Sequence, residues 1–162
     1  MNTVVAHPTA SCPWLGVFWG GLICGILDLS SAIGGYYFRG VPPVRILQSV
    51  AAGALGRESF NGGARTATLG LFFHFLIAFT AAAVFYLASR KITFLTAHPV
   101  ISGLIYGELV FLFMHFVVIP LSASPRGPIT VSFAFLLAGP LGHPFLVGLP
   151  IALAVSRFAC KH

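Results

Sequence analysis

From Thr68 to Ser89 the chain carries no Asp, Glu, Lys or Arg, and apart from His74 its residues are apolar, small or hydroxyl-bearing. A run of that kind has one good solvent. About 20 apolar residues at 1.5 Å rise cross the roughly 30 Å hydrocarbon core of a bilayer, where a helix satisfies all of its own backbone groups. Three further stretches read the same way: residues 14–38, interrupted by Asp28; residues 99–121, holding Glu108; and residues 129–156, again without a formal charge. The expected fold is an all-α membrane protein with four transmembrane helices.

Composition excludes the alternatives. Of 162 residues, 57% are apolar and 7% charged, whereas a soluble domain keeps roughly a quarter of its residues charged to face water. Disorder needs low hydrophobicity and high net charge, the opposite of this chain. The formal charge of +6 comes from nine Lys and Arg against Asp28, Glu58 and Glu108. The cations stand singly or in pairs at the ends of apolar runs, with no basic stripe to follow a phosphate backbone, so nucleic acid is not an expected partner. Anionic headgroups and membrane topology account for the bias. Cys12, Cys24 and Cys160 form no CxxC motif, and Cys24 reads as a small packing residue.

The organisation expected is a tail over residues 1–13, one transmembrane domain over 14–157 and a tail over 158–162. Trp14 and Trp19 near one end of the first run, with Tyr36 and Tyr37 at the other, match two interfacial aromatic belts. No Lys or Arg precedes Arg39 and Asp28 interrupts the run, so it reads as a span and not as a cleaved signal. Between the first two spans, residues 44–55 have an apolar body opened by Pro42 and Pro43 and closed by Gly53 and Gly56. About 12 residues make roughly 18 Å of helix, too short to cross. This segment is expected to lie in the interface, with Arg45 and Gln48 facing headgroups; the alternative is a re-entrant element. Four spans put both termini on one side, and the pairs Arg90 with Lys91 and Arg157 with Lys161 favour the cytoplasm.

The two halves echo one another. Gly21-Leu22-Ile23-Cys24-Gly25 resembles Gly103-Leu104-Ile105-Tyr106-Gly107, and Ala52-Gly53-Ala54-Leu55-Gly56 resembles Ala138-Gly139-Pro140-Leu141-Gly142, in the same order. A duplication would give parallel repeats about the membrane normal. Glycines four apart (Gly16 and Gly20, Gly21 and Gly25, Gly103 and Gly107) stack on one helix face and admit a neighbouring backbone. Such faces serve packing within the bundle or between copies. Pro140, Pro144 and Pro150 are expected to kink or locally unwind the fourth span.

Titratable groups inside spans are costly enough to mark candidate sites. His74 and His115 each lie about 9 Å from the span ends opposite the termini, at one level, and His143 falls near it. Asp28 and Glu108 lie deeper, and Glu108 and His115, seven apart, share a face. Asp28, His74, Glu108, His115 and His143 therefore form the expected intramembrane polar cluster. Three roles fit it: hydrogen bonds among these groups, Ser30, Ser31, Thr80 or Tyr106 that lock the bundle; a path for protons or a small solute; or a haem b or metal site held between His74 and either His115 or His143. HxxxH, HExxH, GxSxG, GxGxxG and P-loop motifs are absent from the sequence, so no enzyme class is indicated.

The run from Val41 to Gly53, the Asn61-Gly62-Gly63 turn, the span around His74 and the Pro120-Leu121-Ser122-Ala123 exit resemble a group of small four-span bacterial inner-membrane proteins without an assigned function. The resemblance implies a bacterial inner-membrane location and carries over no catalytic or binding residues. The working expectation is a non-enzymatic accessory subunit or homo-oligomer packed through glycine faces, without a cofactor. A small solute or proton transporter is the alternative, and a haem-bearing electron-transfer subunit the third.

Overall fold

The computed structural model of the chain describes residues 13–125 and 139–159. The described residues are helical throughout their ordered elements, with no strand among them. Three helices are long and apolar enough to cross a membrane: α1 (Pro13–Tyr37), α3 (Gly63–Ser89) and α5 (Pro99–Leu121). Between α1 and α3 lies the short α2 (Pro43–Leu55), followed by a 3-10 turn, Gly56–Asn61. One turn of helix, α4 (Phe94–Ala97), precedes α5, and the chain closes with α6 (Pro144–Phe158).

The fourth expected span differs from the sequence reading. Residues 139–142 form a turn and the helix begins beyond it, so 129–156 is not one unbroken helix. Residues 126–138, with the first part of that span, and the expected tails over 1–12 and 160–162 lie outside the described residues. Alone, the 15 residues of α6 reach about 22 Å, short of a crossing. The reason is local: Pro140 sits in the turn and Pro144 opens the helix, where its missing N–H costs nothing.

Two prolines also reshape helices from within. Pro120 and Pro150 each follow a widened turn in which bonding runs five residues back: Ile119 N–H donates to Met114 O, and Leu149 N–H to Pro144 O. Proline lacks a donor and its ring collides with the carbonyl four residues earlier, so inserting one extra residue into the turn relieves both problems.

The helices meet where glycine lets them. Gly16 and Gly20 of α1 abut the α6 backbone at Ile151 and Val155, while Gly21 and Gly25, a hundred degrees round the helix, receive Phe79 and Phe75 of α3. Gly103 and Gly107 of α5 press against Gly148, Leu149 and the His143–Pro144 backbone. Cys24, Ala78, Ala82, Phe85, Ile151, Ala152 and Val155 fill the core between these crossings. The order round the bundle is α3, α1, α6, α5. All three glycine pairs expected from the sequence are thus consumed within the chain.

The short helix is not passive. α2 lies across the first turns of α3, so close that a Cβ on Gly70 would overlap the Leu47 carbonyl. Arg45 is exposed as expected, but Gln48 is buried, a correction to the headgroup-facing assignment. Its Nε2 donates to Gly63 O at 3.1 Å and lies 3.3 Å from Thr66 Oγ1, occupying carbonyl and hydroxyl groups at the start of α3. At the other end Gly56, with φ of +63°, caps α2 by donating its N–H to Ala52 O, and Ala123 N–H donates to Gly53 O at 2.9 Å. The segment therefore ties the α1 to α3 connection to the exit of α5.

Two expectations follow. In a background without native cysteines, single cysteines across α2 should label with a helical period: strongly at Val44, Arg45, Ser49 and Leu55, weakly at Ile46, Gln48, Ala51 and Ala52. Uniform labelling would contradict the docked helix. Gly107→Ala should lower stability by about 1–3 kcal/mol through overpacking, whereas Gly34→Ala, with nothing within 4 Å of the added methyl, should be neutral or gain up to about 1 kcal/mol of helix propensity. Thermal unfolding in detergent compares them.

Candidate functional site

A cavity of about 320 Å³ opens between the helices near the end covered by α2. An aspartate and three histidines from four places in the chain line it: Asp28 of α1, His74 of α3, His115 of α5 and His143 immediately before α6. Cys24 and Tyr36 of α1 also reach the wall, the remainder is apolar, and Val50 brings α2 to it. The local reasons are those that built the bundle. Gly21 and Gly25 bring α1 against α3 and so carry Asp28 to the interior, and the close approach of Gly107 to the His143–Pro144 backbone sets His143 beside α5.

Each imidazole has a defined environment. His74 Nε2 lies 2.9 Å from Gly25 O; a carbonyl only accepts, so this nitrogen carries the proton and Nδ1 is the second site. By the same argument His143 Nδ1 donates to Gly139 O at 3.2 Å. Its Nε2 stands 3.9 Å from Asp28 Oδ1, within ion-pair reach and beyond hydrogen-bond reach. A neutral imidazole protonated on Nδ1 presents a lone pair there, and so does a carboxylate. The two attract only when a proton sits on one of them. Phe111 stacks on His115 with ring centroids 5.6 Å apart and meets His143 nearly edge-on at 5.3 Å. An aromatic ring thus adjoins both imidazoles.

Glu108 stands apart from the other members of the expected cluster. It is half-buried and does not line the cavity. Sharing a helical face with His115 was not enough, because seven residues put it about 10 Å further along α5, and at neighbouring Gly107 the helix is already closed against α6. Two of the hydroxyl partners expected for the cluster are engaged elsewhere: Thr80 Oγ1 donates to Leu76 O and the Tyr106 hydroxyl to Ala81 O, both at 2.7 Å. Among the described residues no group of three or more His, Cys, Asp or Glu is arranged to hold a metal ion. What the sequence reading missed is the wall of the site, Val50 and Phe111 above all. The Pro42-Pro43 start and the short apolar body of α2 marked a helix, but nothing in them indicated its docking partner.

No known protein family matches the chain, and no curated protein or solved structure is similar to it at a meaningful level.

His74→Phe keeps an aromatic ring and removes the bond to Gly25 O. It should cost about 0.5–1.5 kcal/mol in thermal unfolding, the net worth of one hydrogen bond. Glu108→Gln should stay within about 0.5 kcal/mol, as expected of a change away from buried networks.

Proposed function

We propose that the protein is a small transporter of the bacterial inner membrane that takes up protons, or a small polar solute together with them, in the Asp28, His74, His115 and His143 cavity. One observation carries this reading: Asp28 and three histidines from separate elements line a single cavity between the helices. Such groups are costly to bury in a membrane and mark ion and solute paths. The His143 and Asp28 pair is the element that takes a proton, since it is attractive only when it holds one. His74, anchored through Nε2, keeps Nδ1 as a further proton acceptor on the opposite wall. No enzymatic step and no cofactor are part of the proposal.

In this reading the chain crosses the membrane four times, and both termini lie in the cytoplasm. A parallel duplication is supported by equivalent packing in the halves: the Gly21 and Gly25 face of α1 receives α3, and the Gly103 and Gly107 face of α5 receives α6.

The accessory-subunit or homo-oligomer reading is favoured by a different observation. α5 leaves Ile101, Ile105, Leu112 and Phe116 exposed along its outer side, enough for a neighbouring helix. Cross-linking in native membranes through cysteines on that side would give a discrete dimer or complex if it holds.

Proteoliposomes loaded with a pH-sensitive dye test the transport reading. Asp28→Asn and His143→Ala should each slow proton uptake about tenfold, equivalent to about 1.4 kcal/mol of barrier, with unfolding temperature monitored in parallel, while Glu108→Gln retains the native rate. Uptake no faster than through protein-free liposomes would overturn it.

A further inference from the structure

At the end of the bundle opposite α2, a groove of about 1020 Å³ runs along the outer face of α6. Its origin is the glycine packing: Gly16 and Gly20 of α1, and Gly103 and Gly107 of α5, draw α6 in between its neighbours. α6 is therefore the floor, Trp19 and Ile23 of α1 form one bank, and Pro99 at the start of α5 forms the other. Gly16 lies against Val155 and Gly20 against Ile151, which sets the register of this antiparallel pair. By that register Trp19 is level with Ala152, about 7 Å deeper than Arg157, and Ile23 and Leu149 are about 12 Å deeper than Arg157. The groove thus runs from a guanidinium through an indole N–H to bare hydrocarbon. Its other polar side chains, Thr96 and Ser156, already donate their hydroxyl protons to Thr93 O and Leu153 O. Among the described residues no carboxylate lies within ion-pair reach of Arg157.

We propose that this groove holds one anionic phospholipid of the bilayer, its phosphate on Arg157, an ester carbonyl on the Trp19 N–H and a chain along Ile23, Leu149 and Leu153. The inference is independent of the transport reading, since the groove lies at the other end of the bundle from the polar cavity. The planar guanidinium matches a phosphate with two parallel N–H donors. An indole N–H a few ångströms deeper meets the ester level of a glycerophospholipid, where tryptophan belts sit. Exposed Leu153 and Ile23 continue the groove as hydrocarbon. The volume, at the upper end of the roughly 300–1,000 Å³ of small-molecule sites, suits a headgroup with the upper part of its chains. Charge decides the kind of lipid. A zwitterionic head carries a cation beyond its phosphate, and this end of the bundle adds only further cations, Arg90 and Lys91. The chain's three acidic side chains all lie elsewhere: Asp28 lines the polar cavity, Glu58 stands in the turn after α2, and Glu108 is about 13 Å along α5 from Pro99. A second copy of the chain therefore has no matching acid to set on Arg157.

The chain has two tryptophans, so Trp14→Phe, at an exposed position, leaves Trp19 as the sole tryptophan. The full-length variant is reconstituted in mixed bilayers of phosphatidylcholine and phosphatidylglycerol, with brominated chains on one lipid or on the other. Quenching of Trp19 then reports which lipid occupies the groove. Phosphatidylglycerol should be preferred about fivefold, equivalent to about 1 kcal/mol. Arg157→Gln, also at an exposed position, should abolish the preference, and Arg157→Lys, which keeps the charge and loses the fork, should retain part of it. Arg90→Gln should keep the full preference, and excess inorganic phosphate should leave it unchanged. Equal quenching by the two lipids, a preference that survives Arg157→Gln, equal loss in Arg90→Gln, or displacement by inorganic phosphate would each overturn the proposal. So would the absence of quenching by either lipid, the result expected if a protein partner covers the groove. Proton uptake by Asp28→Asn is read separately, so these outcomes leave the transport reading untouched.

Discussion

Close backbone approach at glycine is the constraint on which the rest of this structure depends. Lipid tails are as apolar as leucine, so helices in a bilayer gain little by hiding side chains from their solvent and associate through dispersion contacts at short range. Here those contacts are made at Gly16 and Gly20, Gly21 and Gly25, and Gly103 and Gly107. α1 is glycine-faced on two sides and so holds α3 and α6 together. α6 in turn is held by α1 and α5, and its Ile151, Ala152 and Val155 are the most enclosed part of the core.

The polar site is a consequence of where those contacts stop. α5 approaches α6 through its glycines and leans toward α3 only at Tyr106, so the bundle is tight along one seam and open along the other. Asp28, His74, His115 and His143 collect at the end of the tight region, beside the crossings at Gly25 and Gly107. The widened turn over Met114–Val118 includes His115, and that over Pro144–Gly148 follows His143 directly. Each has a proline two residues beyond its end, and both lie at the level of the cavity.

How much of this was legible in the sequence depends on the range of the interaction. Spans and glycine pairs are properties of one helix, and residue spacing along one helix is enough to read them. The level shared by His74, His115 and His143 is likewise a count of residues from the span ends, and these three side chains do line one cavity. Glu108 shows where counting misleads: spacing of seven gave the correct face and ignored that the cavity is shorter than the helix. Gln48 fails for another reason. A polar residue on a short amphipathic helix reads as solvent-facing unless its partner is known, and the partners, Gly63 and Thr66, lie on the next element. The turn at 139–142 falls where Pro140 and Pro144 predict local unwinding, although hydropathy alone carries the apolar run straight through it.

The same distinction sets the seam between α3 and α5 apart from the glycine-packed seams. A helix pair that is tightly joined has no room for a ligand, and a pair that is fully separated gives a ligand no wall. Tyr106 is the residue that holds the intermediate state. Its hydroxyl donates to the Ala81 carbonyl and its ring packs on buried Phe85, which ties α5 to α3 at one point. On the cavity side of that point Ile77, Ala81, Val110 and Met114 line both the polar cavity and the apolar groove between α3 and α5, and so form the wall between them. With Asp28 and the histidines on one side of that wall and bare hydrocarbon on the other, the costly polar groups are kept away from lipid.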